Sequence, residues 1–126
     1  EVYEIPQLTI PPQINKMYIN DLSPEKSVVK YQLDHGVQTF VISWRNPSRD
    51  QGHWGMDEYI ASCRQALAAV KAITGSGKVN VSAGCSGGQT ASVLASALAA
   101  DGDDSLNALT LMVCVLHPKQ NDIEAG

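Results

Sequence analysis

The chain has 126 residues, of which 44% are hydrophobic and 17% charged, and a formal net charge of −4. That length and balance give a single domain around one core and exclude long disordered tails. Nine Lys and Arg residues are scattered without a patch, so no nucleic-acid partner is expected, and no apolar run approaches the roughly 20 residues of a transmembrane segment.

Leu8-Thr9-Ile10 is a short β-rich run that Pro11-Pro12 stops, because proline has no N–H for the ladder and restricts its predecessor. Residues 13–22 read as a loop. Ser23-Pro24 suits a helix start, a capping serine followed by proline at the first helical position. The helix carries Val28, Val29 and Leu33 and stops at Gly36, with His35 at the favourable C-terminal end of its dipole. Thr39-Phe40-Val41-Ile42-Ser43-Trp44 has almost no polar alternation, as in a strand covered on both faces.

A polar loop over residues 45–56 follows, with Trp54 as its anchor beside His53. Asp57 opens a helix whose apolar stripe is Ile60, Cys63, Leu67 and Val70, and Thr74-Gly75-Ser76-Gly77 closes it. Val79-Asn80-Val81-Ser82 is a strand, residues 83–88 a small-residue turn, and residues 90–100 an alanine-rich helix with Val93, Leu94, Ala97 and Leu98 on its buried side. Residues 101–104 form a loop and residues 108–116 a last apolar strand. The alternation predicts an α/β fold with three layers, α/β/α, around a mostly parallel sheet joined by right-handed crossovers.

The three cysteines, Cys63, Cys85 and Cys114, contain no CxxC pair and no disulfide framework, which fits a reducing, cytoplasmic compartment and predicts no metal site. Cys63 and Cys114 fall on a helix stripe and in a strand, where core packing is the expected role. Cys85 differs. Ala83 and Gly87 stand two residues before and two after it, and a helix follows at once, which is the pattern of a nucleophile elbow. In a parallel sheet this turn lies at the carboxyl ends of the strands, where ligands gather. The helix N-terminus would favour the thiolate, and the Ser86 backbone N–H would face an oxyanion. The competing reading is a cysteine buried for packing. A phosphate loop fits less well, since neither GxGxxG nor GxxxxGK[ST] is present.

Three segments together resemble the polyhydroxyalkanoate synthases: Ile10-Pro-Pro-Gln-Ile-Asn-Lys16 with Tyr18 and Asp21-Leu22; Phe40-Val-Ile-Ser-Trp-Arg-Asn-Pro47; and Val79-Asn-Val-Ser-Ala-Gly-Cys-Ser-Gly-Gly88. Gly52-His-Trp54, Asp57-Glu-Tyr59, Ile73-Thr-Gly75 and Asn107-Ala-Leu-Thr-Leu111 fit as well. The resemblance implies an α/β-hydrolase-like catalytic domain of which residues 1–126 are a fragment. With no initiator Met and no capping signal at the end, both termini read as cut. It also implies an acyltransferase that takes 3-hydroxyacyl groups from coenzyme A and adds them to a growing polyester, with Cys85 carrying the chain as a thioester. A second oxyanion donor would come from the backbone of Gln13 or Ile14. The family's Asp and His lie beyond the last residue, so the fragment alone is expected to be inactive. No cofactor is implied beyond the coenzyme A thioester substrate. The polyester granule surface is an implied location, and a homodimer is compatible with the resemblance.

The chain departs from the family pattern at Ala83, where glycine is usual two residues before the cysteine, and at His117, where aspartate is usual. Neither His117 nor Asp122 is assigned to a triad. Trp44 and Arg45 fall at a strand's carboxyl end near the mouth of the site, where packing is the expected role of the tryptophan. Lys16 and Asp21 form an expected surface pair of little energetic weight. The alternative to a polymerising acyltransferase is a cysteine hydrolase of the same fold, dienelactone-hydrolase-like. The run Ser43-Trp-Arg-Asn-Pro47 favours the acyltransferase.

Overall fold

The computed structural model describes residues 2–13, 21–44 and 55–116. Four strands, β1 (Gln7–Ile10), β2 (Thr39–Val41), β3 (Val79–Gly84) and β4 (Leu106–Met112), alternate with three helices, α1 (Val28–Asp34), α2 (Met56–Thr74) and α3 (Ser86–Ala100). All neighbouring strands are parallel, in the order β2-β1-β3-β4. The chain therefore steps one way from β1 to β2, then returns across β1 to β3 and continues to β4. Right-handed crossovers put helices from opposite steps on opposite faces. So α2 and α3 share one face, where they pack on each other and on β1 and β3, and α1 belongs to the other. The fold is the expected α/β class, with a thin third layer.

One face of the sheet makes the core. Leu8, Ile10, Val79, Val81 and Ala83 meet Ile60, Cys63, Leu67 and Val70 of α2 and Ala91, Leu94 and Leu98 of α3, all buried. Cys63 is fully enclosed, and burial pushes its thiol up to about 11 from an ordinary 9.0. The opposite face of the central strands is polar: Gln7 Nε2 donates to Ser82 Oγ at 2.9 Å, Thr9 Oγ1 lies 3.2 Å from the same oxygen, and Asn107 Nδ2 donates to Asn80 Oδ1 at 2.8 Å. β3 thus alternates between an apolar and a hydrogen-bonded face.

Several boundaries differ from the sequence expectation. α1 begins at Val28, capped by Ser27, whose Oγ accepts from Lys30 N–H at 2.8 Å. Ser23-Pro24 instead starts a tight turn closed by the Lys26 N–H on the Ser23 carbonyl, with proline at its second position. α1 buries none of its residues, and Val28 and Leu33 are exposed. His35 does cap it: its Nδ1 donates to the Tyr31 carbonyl at 2.7 Å and its ring stacks on Tyr31. β2 ends at Val41, three residues early. α2 closes on Gly75 in the left-handed conformation, as expected (φ 73°).

In α3 the face at Gly87, Ala91, Leu94 and Leu98 points inward and Val93 is exposed, one residue off that stripe. β4 stops at Met112, because Val113 takes φ 51°, which no strand accommodates. Cys114 is therefore not in a strand. It is half-buried just beyond β4. Asp21 is engaged with the Ser27 hydroxyl. Lys16, Arg45, His53, Trp54, His117 and Asp122 lie outside the described residues. Among those described, no helix is long and apolar enough to cross a membrane.

Candidate active site

β1 and β3 are neighbours whose onward connections leave in opposite directions, so a crevice opens between their carboxyl ends. The turn after β3 and the turn after β1 both stand there. The first is a single residue. β3 ends at Gly84, α3 begins at Ser86, and Cys85 alone makes the corner with φ 53° and ψ −126°. A non-glycine residue at positive φ is strained. It is held by its N–H on the Met112 carbonyl and by its own carbonyl, which accepts the Gly88 N–H, both at 3.0 Å. The side chain of Cys85 is exposed. The expected small-residue turn over residues 83–88 is thus sharper than the sequence suggested, and α3 starts four residues earlier.

The glycines explain why. A Cβ at Gly87 would stand 2.4 Å from the Ile10 carbonyl oxygen and 2.8 Å from the Pro11 carbonyl atoms. A Cβ at Gly88 would stand 2.6 Å from Cys114 Sγ. These glycines cost helix propensity, and they let α3 press against the chain leaving β1 on one side and the chain leaving β4 on the other. Gly84 has room, its nearest neighbour to an added Cβ being Met112 O at 3.7 Å. Ala83 lies fully buried in the core face of β3, so its methyl packs inward rather than crowding the elbow.

The turn after β1 is tied to the elbow helix by side chains. Ser86 Oγ donates to Gln13 Oε1 at 3.1 Å, Gln13 Nε2 donates to Thr90 Oγ1 at 2.6 Å, and Thr90 Oγ1 donates to the Ser86 carbonyl at 3.2 Å. Trp44, three residues past the end of β2, donates from Nε1 to the Pro11 carbonyl at 2.7 Å and sets its ring edge-on to Tyr59. It packs, as expected, and it also braces the proline turn. A cavity of about 400 Å³ on Ile42, Ser43, Trp44 and the start of α2 has no elbow residue in its lining.

Cys85, Ser86 and Gln13 are therefore adjacent, although 73 residues separate Gln13 from Ser86. Ile14 lies outside the described residues. As the first residue of α3, Ser86 has a backbone N–H without an intrahelical acceptor. Such a group beside an exposed thiol can receive a developing negative charge. Thr90 and the Trp44–Pro11 bond were not singled out from sequence. The only available signal was the one-turn spacing of Ser86 and Thr90, two hydroxyls on one helix face.

A cysteine on a strained strand-to-helix corner, at the reversal point of a parallel sheet, defines a chain of the α/β-hydrolase fold. Solved structures agree. A carboxylesterase of the Thaumarchaeon Nitrososphaera gargenis superposes with a TM-score of 0.70 over 98% of this chain and 43% of its own, at 17% identity. A candidate lipase from Sulfolobus solfataricus does so with 0.67 over 96% and 43%, at 14%.

Sequence comparison is more specific. Residues 1–32 match the family described as Poly-beta-hydroxybutyrate polymerase (PhaC) N-terminus. Poly(3-hydroxyalkanoate) polymerase 1 of Ectopseudomonas oleovorans is 51% identical over 92% of this chain and 21% of its own length. The Poly(3-hydroxyalkanoate) polymerase subunit PhaC of Cupriavidus necator is 37% identical over 92% and 20%. The chain belongs to the poly(3-hydroxyalkanoate) polymerase family and spans about a fifth of the length of these curated relatives.

Proposed function

We propose that this chain carries the nucleophile of an acyltransferase that polymerises 3-hydroxyacyl groups from coenzyme A. The observation that carries the reading is Cys85, exposed on its strained corner in a chain of the polymerase family. In the proposed reaction Cys85 Sγ, having given its proton to a base, adds to the thioester carbonyl of the substrate. The oxygen takes the negative charge and is met by the Ser86 N–H and by a backbone N–H of the turn at Gln13 or Ile14. Collapse forms the acyl-cysteine thioester, breaks the bond to coenzyme A and releases it as the thiol, with the proton returned. One thioester replaces another, so the step is nearly isoenergetic, and a thiol both attacks and leaves well. The hydroxyl of a further 3-hydroxyacyl group then attacks the thioester, which forms the ester link and frees the sulfur.

In this reading the reaction requires no cofactor, since the substrate brings its leaving group. The base, a His oriented by an Asp, is assigned to sequence outside these 126 residues, and the fragment alone should not polymerise. A cytoplasmic enzyme at the granule surface fits this reading. The test is coenzyme A release from 3-hydroxybutyryl-CoA or a longer 3-hydroxyacyl-CoA by the complete protein, with polymer recovered, and its loss in Cys85→Ala. Free hydroxy acid without polymer would identify a hydrolase instead.

A further inference from the structure

We infer that the Gln13 side chain is a positioning residue, which locks the turn after β1 onto the first turn of α3 and so fixes the distance between the two halves of the oxyanion site. The inference rests on the proposed role of Cys85 and extends it to a side chain whose two hydrogen bonds both go to protein. Three observations converge.

First, the carboxamide is used at both ends: its oxygen accepts from Ser86 Oγ and its nitrogen donates to Thr90 Oγ1. Thr90 Oγ1 in turn donates to the Ser86 carbonyl, which closes a circuit across two segments remote in sequence. Closed circuits with every member satisfied are stiff. Second, Thr90 is 1% exposed, so its hydroxyl relies on protein partners, accepting from Gln13 and donating to the Ser86 carbonyl. Third, the two turns approach until Gly87 has no room for a Cβ against Ile10 and Pro11. That contact resists closer approach and the carboxamide resists separation, so the gap is bounded from both sides. The Ser86 hydroxyl is committed to this circuit, which leaves Cys85 as the nucleophile at the corner.

The experiment uses the complete protein. Gln13→Leu keeps bulk and removes both bonds. kcat for coenzyme A release should fall about 10- to 100-fold, the effect of misplacing catalytic groups by a fraction of an ångström to an ångström, with KM within about twofold and the iodoacetamide rate of Cys85 unchanged. Thr90→Val should give a similar loss, Thr90→Ser should recover most of it, and Gln13→Leu/Thr90→Val together should cost no more than the worse single change. A kcat within twofold of wild type in Gln13→Leu, additive losses in the pair, or parallel collapse of kcat and Cys85 alkylation would overturn the inference. Failure of the underlying reading is a separate result: activity that persists in Cys85→Ala.

Discussion

Gly87→Ala is the sharpest perturbation the fold offers, because the atoms that its methyl would meet belong to backbone. The added carbon would lie 2.4 Å from the Ile10 carbonyl oxygen, about 1 Å inside ordinary van der Waals contact. No rotamer change relieves this. Either the turn at Ile10-Pro11 or the start of α3 must shift, yet Trp44 holds Pro11 and Gln13 holds Ser86 and Thr90. Overpacking against fixed neighbours costs about 1–3 kcal/mol, and with the opposing atoms in backbone we expect the upper end. Melting temperature should fall by on the order of 5–10 °C. If the Ser86 N–H acts in the oxyanion site as proposed, a 1 Å displacement at this point also misplaces it, and kcat should drop about 100-fold in the folded fraction. The assay is coenzyme A release at a temperature well below the transition, beside a thermal melt of the same sample. Gly84→Ala is the steric control: its nearest contact is 3.7 Å, and its melting temperature should stay close to wild type. A Gly87→Ala protein with unchanged melting and turnover would refute the close approach on which the geometry of the site rests.

Four further outcomes follow from the same coordinates. Iodoacetamide should label Cys85 in the native protein and leave Cys63 untouched, because Cys63 is fully enclosed and burial raises its thiol to about 11; in denaturant both should react. The same burial makes stability pH-dependent: since the folded value lies above the ordinary 9.0, the contribution is complete below pH 9 and is lost as the pH rises towards 11. It amounts to about 2–3 kcal/mol, and Cys63→Ala should flatten this part of the profile in denaturation at graded pH. Gly88→Ala should be milder than Gly87→Ala, because it meets the Cys114 side chain rather than backbone, and Cys114→Ala should recover part of its loss in melting temperature. Val113→Gly should raise the melting temperature slightly, by relief of about 1 kcal/mol of left-handed strain at a residue that is 91% exposed and has little packing to lose.

Much of this architecture was legible before any coordinates. The α2 stripe is the clearest case. Ile60, Cys63, Leu67 and Val70 were read from period alone and are the four buried residues of the helix. Alternation of elements gave the parallel sheet, and the spacing around Cys85 gave the corner. Local signals misled where long-range contacts decided. Ser23-Pro24 carries a good helix-start pattern but spends it on a turn, because Ser27 is the residue that satisfies the Lys30 N–H. The Gly87-Gly88 pair looked like loop sequence, and α3 runs through it since two other chain segments come too near for side chains. Cys114 seemed to sit in a strand because nothing in its apolar surroundings announces the reversal at Val113. Of the candidate site, the corner at Cys85 was legible, and so were Ser86 and Gln13 as backbone positions beside it; the side-chain circuit was not. The Gln13 carboxamide and the Ser86 and Thr90 hydroxyls carry no sign of their partnership until the sheet order makes them neighbours.

That sheet order bears on synthesis. β1 lies between β2 and β3, yet β3 leaves the ribosome some 70 residues after β1. Once β2 has docked, the far edge of β1 keeps its backbone N–H and C=O groups unpaired until residues 79–84 arrive. An unmated strand of that kind invites pairing with another nascent chain. Slowing translation between β2 and β3 should therefore lower the soluble yield, whereas a pause after α3 should be harmless.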